Sequence, residues 1–590
     1  MKYTLNDTKD NLETQKQKKA LSSATKKLFK LMSDEKKPII FALIFIVLSA
    51  VATLVSPILI SHIIDKYIQT KQFKGVIIFS SILLAVYIVG LVSNYFQTTI
   101  MGGVGRRILF NLRNNIFNKL QELPIAFFNQ NKAGDLISRI NNDTDKLNQF
   151  FAQAFTQFIS GFFVILGTGI FIIYVNPRLG FIALVPALFV LLITRFLSGW
   201  VKDRNLKSLQ SLGKMSAEIQ ESINNFKVII VFNRLDYFRK KFSEVNDENY
   251  KASINSGIAS NVFSPIYNLS YSIAQLLVLC FGIYFISSGS FTIGLLVGFF
   301  LYLNNFYMPL RQIASVWSSF QLSLAALDRI TEILSIKSDM KTIGDKNKKI
   351  NSKYILEFNN VSFAYSIGEN ILENVSLSLE RGKTYAFVGP TGGGKTTTAS
   401  LMARLYDPTD GNIILDGKNI KSYTPEERIK KIGFILQEPF LFNGTIKDNI
   451  IYGNNKYENY SDEDMINLLK KSNLDKLTKI FKDGINTKVT YNTDDISLGQ
   501  KQIIAFIRAI LREPEILILD EATANIDTVT ENILEEILNK LPKETTKIII
   551  AHRLNTIENA DEIFFVNYGI KEAGTMENAV KMLTNDAKKT

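Results

Sequence analysis

The chain is poor in the residues that build cross-linked or metal-held scaffolds. A single cysteine in 590 residues, Cys280, excludes an intrachain disulfide framework and any zinc site made of thiolates. Two histidines, His62 and His552, are too few for a histidine-rich metal centre. Weak hydrophobicity is missing too: 46% hydrophobic residues and a mean hydropathy of +0.09 exclude a disordered chain. The net charge of +13 is compatible with nucleic acid, anionic lipid or the cytosolic loops of a membrane protein, so its distribution has to choose. At roughly 100–200 residues per domain, the length allows about three to five domains or one multi-part machine.

Charge is what long parts of the first half lack. Pro38–Ile60 and Gly75–Met101 contain none, nor does the stretch between Lys251 and Arg311, which holds two apolar runs joined by Ser287-Ser288-Gly289-Ser290. Two more runs, Phe150–Val175 and Phe181–Thr194, flank the VNPRLG turn. Each pattern suits a membrane span of roughly 20 residues, and the count is six. The Lys-rich segment before Pro38 has no cleavable apolar leader and places the N-terminus in the cytosol; an even span count puts the C-terminus there too. The basic excess then belongs to cytosolic loops, and nucleic acid is not expected as a partner. Outer loops are short (His62 reads as an ordinary residue beside one), whereas Gly103–Asn148 and Lys202–Lys251 are long and charged. Some 45 residues make about 70 Å of helix, so these spans should continue well into the cytosol.

The expected organisation is a basic N-terminal segment (1–37), a transmembrane domain (38–323), a polar linker (324–351) and a cytosolic domain (352–590). In the last, short β-rich runs alternate with helical ones, as in an α/β domain with a largely parallel sheet. One strand-like run, TYAFVG, leads into Gly389-Pro390-Thr391-Gly392-Gly393-Gly394-Lys395-Thr396-Thr397 and then a helical stretch. This spacing lets backbone N–H groups cradle phosphates while Lys395 reaches the β- and γ-phosphates and Thr396 ligates Mg2+. A second apolar strand ends in Asp520-Glu521, with Asp520 suited to Mg2+ and Glu521 to polarising an attacking water. A third, TKIIIAH, ends at His552, placed to touch a γ-phosphate. Gln437 and Tyr365 are weaker candidates; a tyrosine before such a loop stacks on a base or simply packs.

With these residues in place, the chain resembles the ATP-binding cassette exporters over nearly its full length. The resemblance implies ATP and Mg2+ as cofactors and a fold of six membrane helices fused to an α/β P-loop nucleotide-binding domain. It implies that Tyr365 stacks on adenine, that Gly389 to Thr397 bind phosphate, and that Gln437 senses both the metal and the membrane domain. Asp520 and Glu521 take the metal and catalytic positions, Asp527 faces the partner's site, and His552 is the switch histidine. The two long inner loops would press their tips on nucleotide domains. A multi-pass protein of a bacterial plasma membrane, moving small amphipathic drugs or lipids outward and in contact with membrane lipids, follows from the same likeness.

One departure matters. The family signature LSGGQ reads Ile496-Ser497-Leu498-Gly499-Gln500 here. Ser497, Gly499 and Gln500 would face the γ-phosphate held by a second cassette, but Leu498 puts a branched side chain where glycine permits close approach. The expectation is a heterodimer with a different subunit that carries an intact signature, this chain being the half with the competent carboxylate. A homodimeric exporter is the alternative, and an ATP-gated channel or membrane regulator without pumping is a rival class.

Overall fold

The computed structural model describes residues 3, 5, 32–344, 352–365, 368–437, 439–490, 496–520, 528–550 and 560–587. The chain divides into two compact units: Asn6–Gln121 with Ala133–Ser335, and Met1–Leu5 with Glu122–Lys132 and Ile336–Thr590.

The first unit is helical. Six of its helical segments are long and apolar enough to cross a membrane: Ser33–Ile68, Phe73–Gln121, Ala133–Val175, Pro177–Asn224, Leu235–Ser287 and Ile293–Ile313. The helices used below are labelled in chain order: α1 (Lys36–His62), α2 (Phe73–Gln121), then, after α3 (Ile125–Gln130) of the other unit, α4 (Phe155–Val175), α5 (Pro177–Asn224), α6 (Phe226–Val231), α7 (Leu235–Asn261), α8 (Phe263–Ser287) and α9 (Ile293–Ser335). Pro57, Pro186 and Pro309 lie inside helices, as membrane packing tolerates. The tight VNPRLG turn has a local cause. Asn176 caps α5 by accepting from the Leu179 N–H at 3.1 Å, and Pro177 pre-sets the first turn. Gly180 is required there, since a Cβ would lie 2.9 Å from the Ile172 carbonyl oxygen. The helix α2 has 49 residues, about 74 Å, so it runs far beyond a bilayer as its length in the sequence foretells.

Two short helices mark the tips of the long inner segments. One, α3, belongs to the second unit; the other, α6, stays with the first. The polar stretch after Leu324, read as the start of a linker, remains helical to Ser335. Leu324, Leu327, Ile330 and Ile333 are all buried, so the rising polarity is confined to one face.

The second unit holds a six-stranded sheet ordered β12-β11-β3-β10-β9-β6, with β3 (Thr384–Val388), β6 (Ile432–Ile435), β9 (Ile516–Asp520), β10 (Thr546–Ile550), β11 (Glu562–Val566) and β12 (Ile570–Glu572). All pairings are parallel except β11 with β12. An antiparallel sheet ordered β2-β1-β4-β5 adds β1 (Tyr354–Phe363), β2 (Leu372–Glu380), β4 (Asp410–Leu415) and β5 (Lys418–Asn419). The core between them includes Phe358, Leu379, Tyr385, Phe387, Ile518 and Ile548. Parallel strands buried on both faces read as near-continuous apolar runs, which is why ILILD and KIII were legible as strands.

Candidate functional site

The central strand β3 delivers the glycine loop into α10 (Lys395–Met402). Gly392 and Gly394 have φ of +82° and +103°, left-handed values open to glycine, and a Cβ on Gly389 would lie 2.0 Å from the Val566 carbonyl oxygen. The helix begins at Gly394 with no side-chain cap. Helices starting after Thr424, Thr445, Ser461 and Ser497 in the same unit each carry a full capping box. The N–H groups of α10's first turn are therefore left for a ligand, and the helix dipole makes that ligand an anion. Lys395, buried, folds its ammonium over the loop and donates to the carbonyls of Gly389 (2.8 Å) and Pro390 (3.0 Å). A triphosphate in the loop would offer the same cation stronger acceptors.

At the end of β9, Asp520 is 1% exposed, and Thr396 Oγ1 donates to its Oδ1 at 3.3 Å. The sheet register sets Asp520 level with Ile550 on β10, the strand that precedes His552. A hydroxyl and a carboxylate side by side, both hard oxygen donors, suit a small divalent cation that draws its remaining ligands from phosphate and water. Gln437 follows β6 and is exposed. Glu521, Asp527 and His552 lie outside the described residues.

Tyr365 stands beside the loop. Its hydroxyl is 3.1 Å from Thr397 Oγ1, and its ring meets Phe363 and Tyr406 edge-on at 4.9 and 5.2 Å. No local motif marks what lies behind it. Asn129 Nδ2 of α3 donates to the Tyr406 hydroxyl at 2.6 Å. Burial, with Tyr365 close by, raises the Tyr406 hydroxyl's pKa, and the Asn129 amide works the other way, so the phenol stays protonated near neutral pH. Tyr3 is also held here: its N–H donates to Gln130 Oε1 at 2.6 Å, and its hydroxyl bonds Asp339.

The family model of the ABC transporter transmembrane region matches residues 39–310, and that of the ABC transporter cassette matches residues 372–524. An uncharacterized ABC transporter ATP-binding protein, YfiC, of Bacillus subtilis is 33% identical over 98% of this chain and 95% of its own length. The chain belongs to the ABC transporters. A multidrug resistance ABC transporter ATP-binding and permease protein of Lactococcus lactis subsp. cremoris is 30% identical, covering 93% of this chain and 92% of its own. A fatty acid ABC transporter ATP-binding/permease protein of Mycobacterium bovis is also 30% identical, over 85% and 79%.

This ABC transporter chain is thus a multi-pass membrane protein that binds ATP and couples its hydrolysis to export, working as a dimer with another ABC subunit. Its signature segment starts α11 (Leu498–Ile510). Ser497 accepts from the Gln500 N–H at 3.2 Å, and the Ser497 N–H donates to Gln500 Oε1 at 2.9 Å. The cap uses only acceptor oxygens of these two side chains, so the Ser497 hydroxyl and Gln500 amide can still donate outward beside the N–H groups of Leu498 and Gly499. Leu498 stands beside them, 42% exposed.

Proposed function

We propose that this chain is the hydrolysis-competent half of a heterodimeric exporter of amphipathic compounds, with both termini in the cytosol of a bacterial cell. The observation that carries the reading is Leu498: a branched side chain stands in solvent at the N-terminus of α11, where a second cassette's triphosphate must approach. The exposed apolar tip of α6, with Phe226, Val228, Ile230 and Val231, supports a second subunit that covers it.

ATP lies with its phosphates on the Gly389–Gly394 loop and the start of α10, its adenine on Tyr365, and Lys395 on the β- and γ-phosphates. Thr396, Asp520 and Gln437 would hold Mg2+, which would supply positive charge against that developing on the transferred phosphoryl group. Glu521 accepts the proton of the attacking water, and His552 holds the γ-phosphate. Ser497, Gly499, Gln500 and Asp527 face the partner's nucleotide. Closure of the cassettes drives the membrane helices between inward and outward access. Relatives named for multidrug resistance and for fatty acid support a membrane-partitioning cargo.

Inside-out vesicles that hold this chain and a partner subunit with an intact signature should accumulate an amphipathic dye only with ATP. Glu521→Gln in this chain should keep ATP binding and slow hydrolysis by about a hundredfold or more. Unchanged turnover in that variant would remove Glu521 from its role, and ATP-independent dye flux would turn the reading toward a channel.

A further inference from the structure

The membrane helices differ in what they turn outward. Exposed apolar side chains crowd α2, α5 and α8, for example Ile77 and Leu84, Phe181 and Leu192, Leu269 and Leu276. Along α9, between Phe299 and Ile313, the exposed positions are Asn304, Met308, Arg311 and Gln312. Spacings of four, three and one residues place all four on one face of the helix.

The polar groups that α9 turns inward are satisfied. Tyr302 Oη donates to Leu54 O at 2.5 Å, Asn305 Nδ2 to Thr53 O at 3.3 Å, and Tyr307 Oη to Ala183 O at 3.0 Å. Those on the outward stripe bond to no described residue. Arg311 follows Ile293 by 18 residues, about 27 Å of helix, against a hydrocarbon thickness of roughly 30 Å. It is the one charged residue of α9 before Asp328.

The neighbouring α4 adds to the stripe. A Cβ on Gly161 would lie 3.4 Å from Pro309 Cβ, so the two helices touch at that level. One turn toward the cytosolic end from that contact, α4 carries exposed Gln157 and α9 carries exposed Arg311 and Gln312. Arg195 on α5 reaches a similar depth, but its exposed neighbours are Leu191, Leu192 and Phe196, the setting of a side chain snorkelling to the membrane surface. Arg311 at that depth could snorkel as Arg195 does, but Asn304 on the same face lies only about 17 Å along α9, in mid-hydrocarbon, so the stripe as a whole favours a wet pathway over lipid tails.

We infer that Arg311, with Asn304, Gln312 and Gln157, recognises the negatively charged head of a single-chain amphiphile entering from the inner leaflet, while Met308 adapts to its tail. The guanidinium fork matches a carboxylate or a phosphate monoester, the amides add neutral hydrogen bonds, and thioether side chains fit varied apolar shapes. This rests on the exporter reading above and narrows its cargo to anionic amphiphiles.

The test uses the full chain with its partner in proteoliposomes, following ATPase against added dodecanoate, dodecyl phosphate and dodecyltrimethylammonium. The wild type should respond to one or both anionic probes at a concentration about tenfold or more below the cationic one. Arg311→Gln should erase that preference, Arg311→Lys should retain most of it, and Arg311→Glu should reverse it. Reading a ratio within one preparation separates recognition from loss of folded protein. The carboxylate and phosphate arms show which head is taken. Equal response of the wild type to all three probes overturns the inference, as does an unchanged ratio in Arg311→Glu. So does an Arg311→Gln variant that merely fails to copurify with its partner while Arg311→Lys shows no head-group preference. Complete absence of ATPase in the wild type would instead count against the exporter reading itself.

Discussion

Asn129 and Tyr406 lie 277 positions apart in the chain, yet one hydrogen bond of 2.6 Å joins them. From Tyr406 the contacts pass to Tyr365 and on to Thr397 in the first turn of α10, so the tip helix α3 touches the nucleotide site through three side chains. Tyr406→Phe keeps the ring and removes the hydroxyl that accepts from Asn129, a change of about 1 kcal/mol. The ratio of ligand-stimulated to basal ATPase should fall severalfold in Tyr406→Phe and in Asn129→Ala, with the double variant no worse than either single one. Fully additive losses would mean that the two residues act separately. The phosphate loop was legible because nine consecutive residues carry its logic: glycines for close approach, a lysine for charge, a hydroxyl for metal. No local pattern could have marked Asn129 or Tyr406, since each acquires its role from a partner that is distant in sequence.

Elements were legible where one interaction dominates. Membrane helices follow from runs without charge, and parallel strands from runs without polarity, because both environments exclude the same groups. The end of α9 was not, since its surface is mixed and its partners are ionic. Arg139, 2% exposed, donates to Asp135 Oδ2 (2.9 Å), Glu332 Oε2 (2.7 Å) and the Arg329 carbonyl (2.9 Å), while Arg329 bonds Asp135 at 2.6 Å and lies 3.3 Å from Asp143. The cluster ties the C-terminal end of α9 to a π-helical turn at Arg139–Asp143, which re-aims these side chains. Arg139→Ala removes the buried cation that joins Asp135 to Glu332 and leaves Arg329 to balance an excess of carboxylates, at a cost of up to about 3 kcal/mol. The detergent-solubilised protein should melt several degrees lower, and Asp135→Asn added to Arg139→Ala should recover part of that loss. An unchanged melting temperature would show that the cluster is solvated and contributes little.

At the scale of the whole molecule, the chain carries two surfaces that it does not itself complete. The tip α6 exposes Phe226 at 54% and Val231 at 77%, and α11 leaves the N–H groups of its first turn beside Leu498. In the proposed exporter a second subunit covers both, and Leu498 is the residue that distinguishes a like partner from an unlike one. A copy of this chain would bring the same leucine to both composite sites, whereas a different subunit with glycine there would restore the site served by Glu521. The chain purified alone should therefore hydrolyse ATP slowly, and coexpression with such a partner should raise turnover about tenfold or more, because each backbone donor regained at a transition-state oxygen has a large effect. Leu498→Gly should raise the turnover of the isolated chain toward that of the pair and change the pair itself far less, since the leucine then limits only the second site. Steady-state ATPase of the four preparations decides the matter. An isolated wild-type chain as fast as the pair would show that the leucine side chain swings clear of the phosphate, and the argument for an unlike partner would go with it.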